Sequence, residues 1–338
     1  MRIVHAVRSD AFAGVERHVA VLAAGQAESG DEVHVLGGDP RLMSDALRRA
    51  GVITHPSSST AEVVRRLVAL RNADVIHAHM TAAEAAATLV RPLVQAPLVV
   101  TRHFGGRRGG SAAGRVVAPM VRRAVRAQLA ISHYVAERVD GPSTVVYPGI
   151  SRRLGLTAAS GRSKTVLVAQ RLEREKRTGD ALRAFAAGAP QDWRLLVAGD
   201  GSERAMLEAL AIRLGVEDRA TFLGHSPKVR QLMTEASILV APCDVEGLGL
   251  SVLEGMAAGI PIVASGAGGH LETVGRATPD LLYKPQDWAA AAERLRALID
   301  SPRQREAAAL ALREVQHEWF SIPTQVASTR AAYEEVLT

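Results

Sequence analysis

Two doubly wound α/β domains are the fold this sequence predicts, on three observations. Short apolar runs bounded by turn residues recur along the chain, with helical stretches between them. The succession pauses once, at SRRLGLTAASGRS (151–163), which is rich in Ser, Gly and Arg and lacks periodicity. A length of 338 residues suits about two domains. Buried strands separated by helices call for parallel sheets with right-handed crossovers. The expected division is therefore a first domain over 1–150, a linker over 151–163 and a second domain over 164–322. A last helix, roughly Pro323 to Leu337 within 323–338, is expected to pack back on the first domain.

The first-half strands are read at RIVHAV (2–7), EVHVLG (32–37), DVIHAH (74–79), PLVVTRH (97–103), AQLAIS (127–132) and STVVYPG (143–149). Between the first two, Gly14 to Ala27 places apolar residues at 15, 19, 22 and 23, a helical spacing. The second-half strands are KTVLVAQR (164–171), WRLLVAGD (193–200), ATFLGH (220–225), SILVAP (237–242), IPIVAS (260–265) and DLLYKP (280–285). The helix after SILVAP stops at Gly259 and Pro261. In such sheets ligands sit beyond the carboxyl ends of strands, near helix N-termini, so a cleft between the two domains is the expected place of function.

Composition limits the function classes. The chain is 47% hydrophobic and 22% charged, as in globular proteins with large cores. A single cysteine, Cys243, rules out an internal disulfide framework and suits a reducing compartment. The N-terminus has no signal-peptide core, and no apolar run reaches the roughly 18 residues of a membrane span. The expected location is the cytoplasm. The net charge of +6 lies wholly in residues 1–150, which hold 18 Arg and no Lys against 12 acids. From Ala85 to Ala136 there are eight arginines and no acid, seven of them between Arg102 and Arg126. This is either a solvated basic face or a surface for an anionic membrane or an acidic acceptor. With no aromatics interleaved, nucleic acid is not an expected partner.

Four strand ends carry chemistry. In CDVEGLGLSVLEGMAAGIPIV (243–263), glycines let a ligand approach the backbone, and a helix starting near Gly249 offers N–H groups and a positive dipole end that suit a phosphate. Glu254 can accept from vicinal hydroxyls, and Glu246 precedes the helix. In VLVAQRLEREKRTGD (166–180), Arg171 and Lys176 can clamp a diphosphate and neutralise it as it departs, unless they belong to a solvated charge cluster. AGDGSERAMLEAL (198–210) starts as G-x-G but has Arg204 where a dinucleotide fingerprint needs its third glycine, so a turn into a helix is expected. SDAFAGVERHV (9–19) puts Gly14 at the first strand-to-helix turn, where it is a candidate donor-binding residue able to approach a ligand across the expected cleft, or else a structural glycine. His103 ends a strand, while His77 and His79 alternate on one, so one of these two is expected to face the core. No Cys/His/acid run has metal spacing, and no G-x-S-x-G elbow or Walker lysine is present.

The run EGLGLSVLEGMAAGIPIVAS, with QRLEREK upstream and LLVAGDGSERAMLE between, resembles the retaining nucleotide-sugar glycosyltransferases of family 4. The family's E-x7-E corresponds to Glu246 and Glu254, its R-L-x-x-x-K to Arg171 and Lys176, its first-turn G-x-E to Gly14 and Glu16, and its G-G…E to Gly268, Gly269 and Glu272. The resemblance implies the GT-B fold: two Rossmann-like domains, the first binding the acceptor and the second a nucleoside diphosphate sugar, UDP- or GDP-linked. It implies that Arg171 and Lys176 contact the phosphates and that Gly249, Leu250 and Ser251 lie near phosphate and sugar. Glu254 then binds the ribose, and Glu246 and His103 contact the transferred sugar. Transfer to an acceptor hydroxyl of a small molecule, glycan or lipid would retain configuration, by front-face departure of the diphosphate, with no metal or further cofactor. Ala13, Leu248 and Gly255 depart from the family's usual Gly, Phe and Ala. Two other classes are a nucleotide-sugar epimerase, which needs a further acid/base pair, and a silent nucleotide-sugar or glycan-binding protein, which would be expected to lack Glu246, Arg171 or Lys176.

Overall fold

The computed structural model describes residues 1–110, 112–151 and 161–338, so most of the linker expected over 151–163, residues 152–160, lies outside the described residues. The chain divides into two compact units, one of residues 1–149 with 321–338 and the other of residues 150–320.

The first unit is built on a seven-stranded parallel sheet: β1 (Arg2–Val7), β2 (Glu32–Leu36), β3 (Ile53–His55), β4 (Val75–His79), β5 (Leu98–Arg102), β6 (Val125–Ala130) and β7 (Thr144–Val145), ordered β3-β2-β1-β4-β5-β6-β7. Only β3 is absent from the sequence reading. It has three residues, none buried, and so lacks the continuous apolar run that marks the others. The order reverses between β1 and β4, which makes their carboxyl ends the topological switch point. The register there sets His5 beside His77, and Val7 beside His79. The helix Ile322–Leu337 belongs to this unit and sinks Tyr333 into a cluster with Ile3, Val75, Val99, Leu129 and Val146.

The second unit carries β8 (Ser163–Ala169), β9 (Arg194–Ala198), β10 (Ala220–Gly224), β11 (Ala236–Ala241), β12 (Ile262–Ser265) and β13 (Leu282–Tyr283), all parallel and ordered β10-β9-β8-β11-β12-β13. Its switch point falls between β8 and β11. The central strands β8, β11 and β12 are buried along most or all of their length, and Phe185, Trp193, Leu195 and Leu295 lie in one core cluster. Gly255 sits in the helix Leu250–Ala257, where a Cβ would come within 2.8 Å of the Leu239 side chain, so the departure from alanine buys close packing on β11. Among the described residues, no helix is long and apolar enough to cross a membrane.

Candidate active site

At the second unit's switch point, the segments leaving β8 and β11 bring two groups together across 70 residues of sequence. Lys176 Nζ donates to Glu246 Oε2 at 2.6 Å, with the two side chains 15% and 21% exposed. Burial alone would lower the Lys176 ammonium, but the neighbouring carboxylate more than reverses this and raises it. Burial likewise pushes the Glu246 carboxyl up, and Lys176 holds it below its ordinary range. Both groups therefore stay charged near neutrality, as a pair that keeps an opening to solvent.

The chain on either side is braced. A 3-10 turn, Arg174–Lys176, precedes Arg177, whose φ of +54 is left-handed, and the Gln170 side chain donates to Lys176 O at 2.8 Å. On the other strand end, Cys243 Sγ lies 3.4 Å from Glu175 O, and burial pushes its thiol up to about 11. Asp244 accepts from Ser265 Oγ at 2.6 Å and pairs with Arg177 at 3.3 Å. Gly269 N–H donates to Glu246 O at 2.8 Å. Here glycine is required by contact: a Cβ on Gly268 would lie 2.5 Å from Glu246 O, and one on Gly269 would lie 2.3 Å from Leu248 Cα. The pair Gly268–Gly269 is thus the floor on which the Glu246 loop rests.

Gly249, at φ +90, is the N-cap of the helix Leu250–Ala257, and no side chain caps that end. The N–H groups of the first turn, at Leu250, Ser251 and Val252, have no intrahelical acceptors. They add a positive end beside the Glu246 loop. Glu254, one turn further, meets Arg230 at 3.1 Å, a cation the sequence reading did not single out. Arg171 does not join Lys176. Its side chain is 68% exposed and paired with Glu175 at 3.1 Å, although its charge is felt at Lys176. In the AGDG turn, Cβ atoms on Gly199 and Gly201 would meet the carbonyls of Gln170 and Leu172, so this turn packs against the segment leaving β8.

His103 and Gly14 belong to the first unit. Gly14 is exposed and opens the helix Gly14–Glu28, with Glu16 accepting from Ala13 N at 2.9 Å. His103 ends in a buried histidine network. The expectation that one of His77 and His79 faces the core is corrected: residues i and i+2 of a strand share a face, and both are fully buried. Gln26 Oε1 lies 2.7 Å from His5 Nε2, His5 Nδ1 3.1 Å from His79 Nε2, and His79 Nδ1 3.1 Å from His103 Nε2. An amide oxygen can only accept, so His5 donates to Gln26, His79 to His5 and His103 to His79. His103 Nδ1 is left with a lone pair. A second branch joins Gln26 Nε2 to Tyr333 at 3.3 Å, Tyr333 to His77 Nδ1 at 2.6 Å and His77 Nε2 to Thr101 at 2.7 Å.

Burial lowers His5 to about 4 and His18 to about 3, and puts His77, His79 and His103 well below 6.5, so all five are neutral at physiological pH. His18 Nδ1 is buried and has no hydrogen-bond partner among the described residues. The ligand atoms of His5, His77 and His79, and of His18, His79 and His103, lie within 4.8 Å of one another. His77 and His79 share β4, while His5, His18 and His103 come from three other parts of the chain, and no linear metal spacing announced the group. The arginine run is also divided: Arg102 and Arg108 turn onto Glu84 and Asp140, with Arg108 Nε 2.5 Å from Glu84.

Known proteins resemble this chain in both of its halves. A family model described as "Glycosyl transferases group 1" matches residues 157–314, and "Glycosyltransferase Family 4" matches residues 12–153. The chain is 30% identical over 241 residues to the lipopolysaccharide core biosynthesis mannosyltransferase LpsB of Rhizobium meliloti, covering 64% of this chain and 67% of that one. It is 35% identical over 192 residues to the 2-deoxystreptamine glucosyltransferase of Streptomyces kanamyceticus, covering 56% of this chain but only 49% of the relative, about half its length. Anabaena Alr3699/HepE, solved in complex with UDP, superposes with a TM-score of 0.80 over 99% of this chain and 100% of its own, at 19% identity, a likeness of fold. With both halves matched by family models, a relative covered over two thirds of its length and two parallel α/β units of this topology, the chain belongs to the family 4 (group 1) glycosyltransferases of GT-B fold.

Proposed function

We propose that the protein transfers a sugar from a nucleoside diphosphate sugar to an acceptor hydroxyl with retention of configuration, and that the donor lies on the second unit. The observation that carries this reading is the Lys176–Glu246 pair at 2.6 Å beside the uncapped N-terminus at Gly249, with Glu254 one turn along. A diphosphate is the ligand such a place suits, since the helix N–H groups and Lys176 supply donors and positive charge without reorganisation. Arg171, free to leave Glu175, adds a second cation. Glu254 takes the ribose hydroxyls after exchanging Arg230 for them. Glu246 accepts from hydroxyls of the transferred sugar. As the diphosphate leaves from the front face, Lys176 and the helix end neutralise its charge, and the acceptor attacks from the same side. This chemistry asks for no metal or further cofactor. UDP is the nucleotide to test first, because one solved protein of this fold, Anabaena Alr3699/HepE, holds UDP and UDP-glucose. The setting is cytoplasmic, and the first unit takes the acceptor.

The test is a thermal-shift panel of UDP, GDP, ADP and dTDP and their sugars, without metal, since a ligand of the folded state raises its stability by mass action. One base should shift the melt, and Glu254→Ala should weaken that ligand about tenfold. NMR of the product should then give the donor's anomeric configuration. No shift with any diphosphate, or an inverted product, would overturn the reading. Nucleotide release without any acceptor would favour a non-transferring enzyme.

A further inference from the structure

The first unit carries a surface the donor site does not use. The helix Ala112–Ala124 turns Val121 inward, fully buried, and packs against the helix Thr81–Leu89. Its outer face is also apolar. Val116 is 73% exposed and Met120 55%, with Pro119 between them and Phe104 69% exposed in the loop before the helix. Positions 116, 119 and 120 share one face at helical spacing, Arg123 continues it by a turn, and Arg115 and Arg122 flank it. The structure also shows which arginines of the acid-free run are available. Arg102 and Arg108 are spent on Glu84 and Asp140, and Arg91 donates to the carbonyl of Ala96. Arg107, Arg115, Arg122, Arg123 and Arg126 are exposed, and among the described residues none of the five has an ion-pair partner.

From this face we infer that the first unit docks on an anionic bilayer through the outer side of the helix Ala112–Ala124 and the Phe104 loop. Charge complementarity selects the occupant. An apolar strip ringed by unpaired cations, with no acid from Ala85 to Ala136, matches the boundary between anionic headgroups and acyl chains. Val116, Met120 and Phe104 enter the apolar layer while the arginine stems lie along it with guanidinium groups at phosphate depth. A nucleic acid would find one aromatic to stack on, and a protein partner would need an acidic rim around an apolar pocket. Docking is independent of the donor reading, because nothing on this helix belongs to the second unit.

The experiment is co-sedimentation of the full chain with vesicles of phosphatidylcholine alone or mixed with phosphatidylglycerol, at low and at high salt. The protein should bind only the anionic vesicles, and weakly at high salt. Arg122→Gln with Arg123→Gln should weaken binding about fivefold for each arginine. Val116→Gln with Met120→Gln, which leaves the charge unchanged, should weaken it about tenfold. All these positions are exposed, so melting temperature and the nucleotide-induced shift should stay at the parent value, which separates failure of docking from failure of the donor site. No binding to anionic vesicles, equal binding to phosphatidylcholine, or indifference to the glutamine pair at 116 and 120 would each overturn the proposal. So would polyglutamate or duplex DNA binding as tightly as vesicles of equal charge.

Discussion

The two sheets hold their polar residues at the same topological place, the switch point, under opposite electrostatic conditions. In the first unit five histidines are buried, neutral and bonded mainly to one another and to Gln26, Tyr333 and Thr101. In the second, Lys176 and Glu246 are both charged and keep part of their surface in water. Burying a neutral imidazole requires hydrogen bonds; burying a charge requires a counter-charge as well and still costs desolvation. A neutral network can therefore be buried deeply, whereas this ion pair stays partly open to solvent. The difference separates a closed scaffold of neutral rings from a charged pair that water still reaches.

Acid should break the comparison most sharply. The five histidines have folded values below the unfolded 6.5. The unfolded chain therefore binds more protons below that value. The stability is fully present above pH 6.5 and lost as pH falls towards 4, by up to about 1.4 kcal/mol per histidine per pH unit. Summed over five, a drop to pH 5.5 removes several kcal/mol, comparable to the stability of a domain. Trp193, Trp288 and Trp319 all lie in the second unit, so fluorescence follows that unit while hydrogen exchange follows the first. The first should open at the higher pH. Simultaneous opening of both, or a melt flat from pH 7 to 5, would remove the distinction.

The charged pair offers the next effect. Lys176→Ala and Glu246→Ala each leave a largely buried counter-charge, costing about 2–3 kcal/mol of stability and about 1000-fold in turnover. The double substitution should recover part of the stability but none of the turnover. If it melts lower than both singles, the pair is not coupled. Gly269→Ala tests the floor of the loop: a Cβ 2.3 Å from Leu248 Cα forces a shift costing about 1–3 kcal/mol, and turnover should fall more than donor affinity because Glu246 moves. Equal losses in both would place the strain elsewhere. The smallest effect belongs to Arg230→Ala. Its pair with Glu254 is exposed on the arginine side, so stability should change by less than about 0.5 kcal/mol, while nucleotide affinity measured by titration should rise slightly. A large loss of affinity would instead make Arg230 a ligand of the donor.

Much of the second unit's charged cluster was legible as sequence because its parts follow strand ends. Apolar runs followed by glycine and charge put Lys176 and Glu246 in segments that follow strands and put Gly249 and Glu254 at the start and in the second turn of a helix, and the alternation of strands and helices made both sheets parallel. The short β3, with no buried residue, left no such trace. The retracted position of Arg171 on Glu175, the cover of Arg230 over Glu254 and the inward turn of Arg102 and Arg108 left none either. Each depends on which partner lies within a few ångströms.

Local pattern determined where the strands, turns and helix starts fall, since burial period, glycine and proline act within a few residues of themselves. Tertiary structure alone decided that Lys176 meets Glu246 across 70 residues, that Gly268 and Gly269 support the Glu246 loop, and that histidines 5, 18, 77, 79 and 103 share one dry interior. Pairing, ionisation and tautomer are set by the groups a fold brings into contact, and contact between distant residues is written in no local run of sequence.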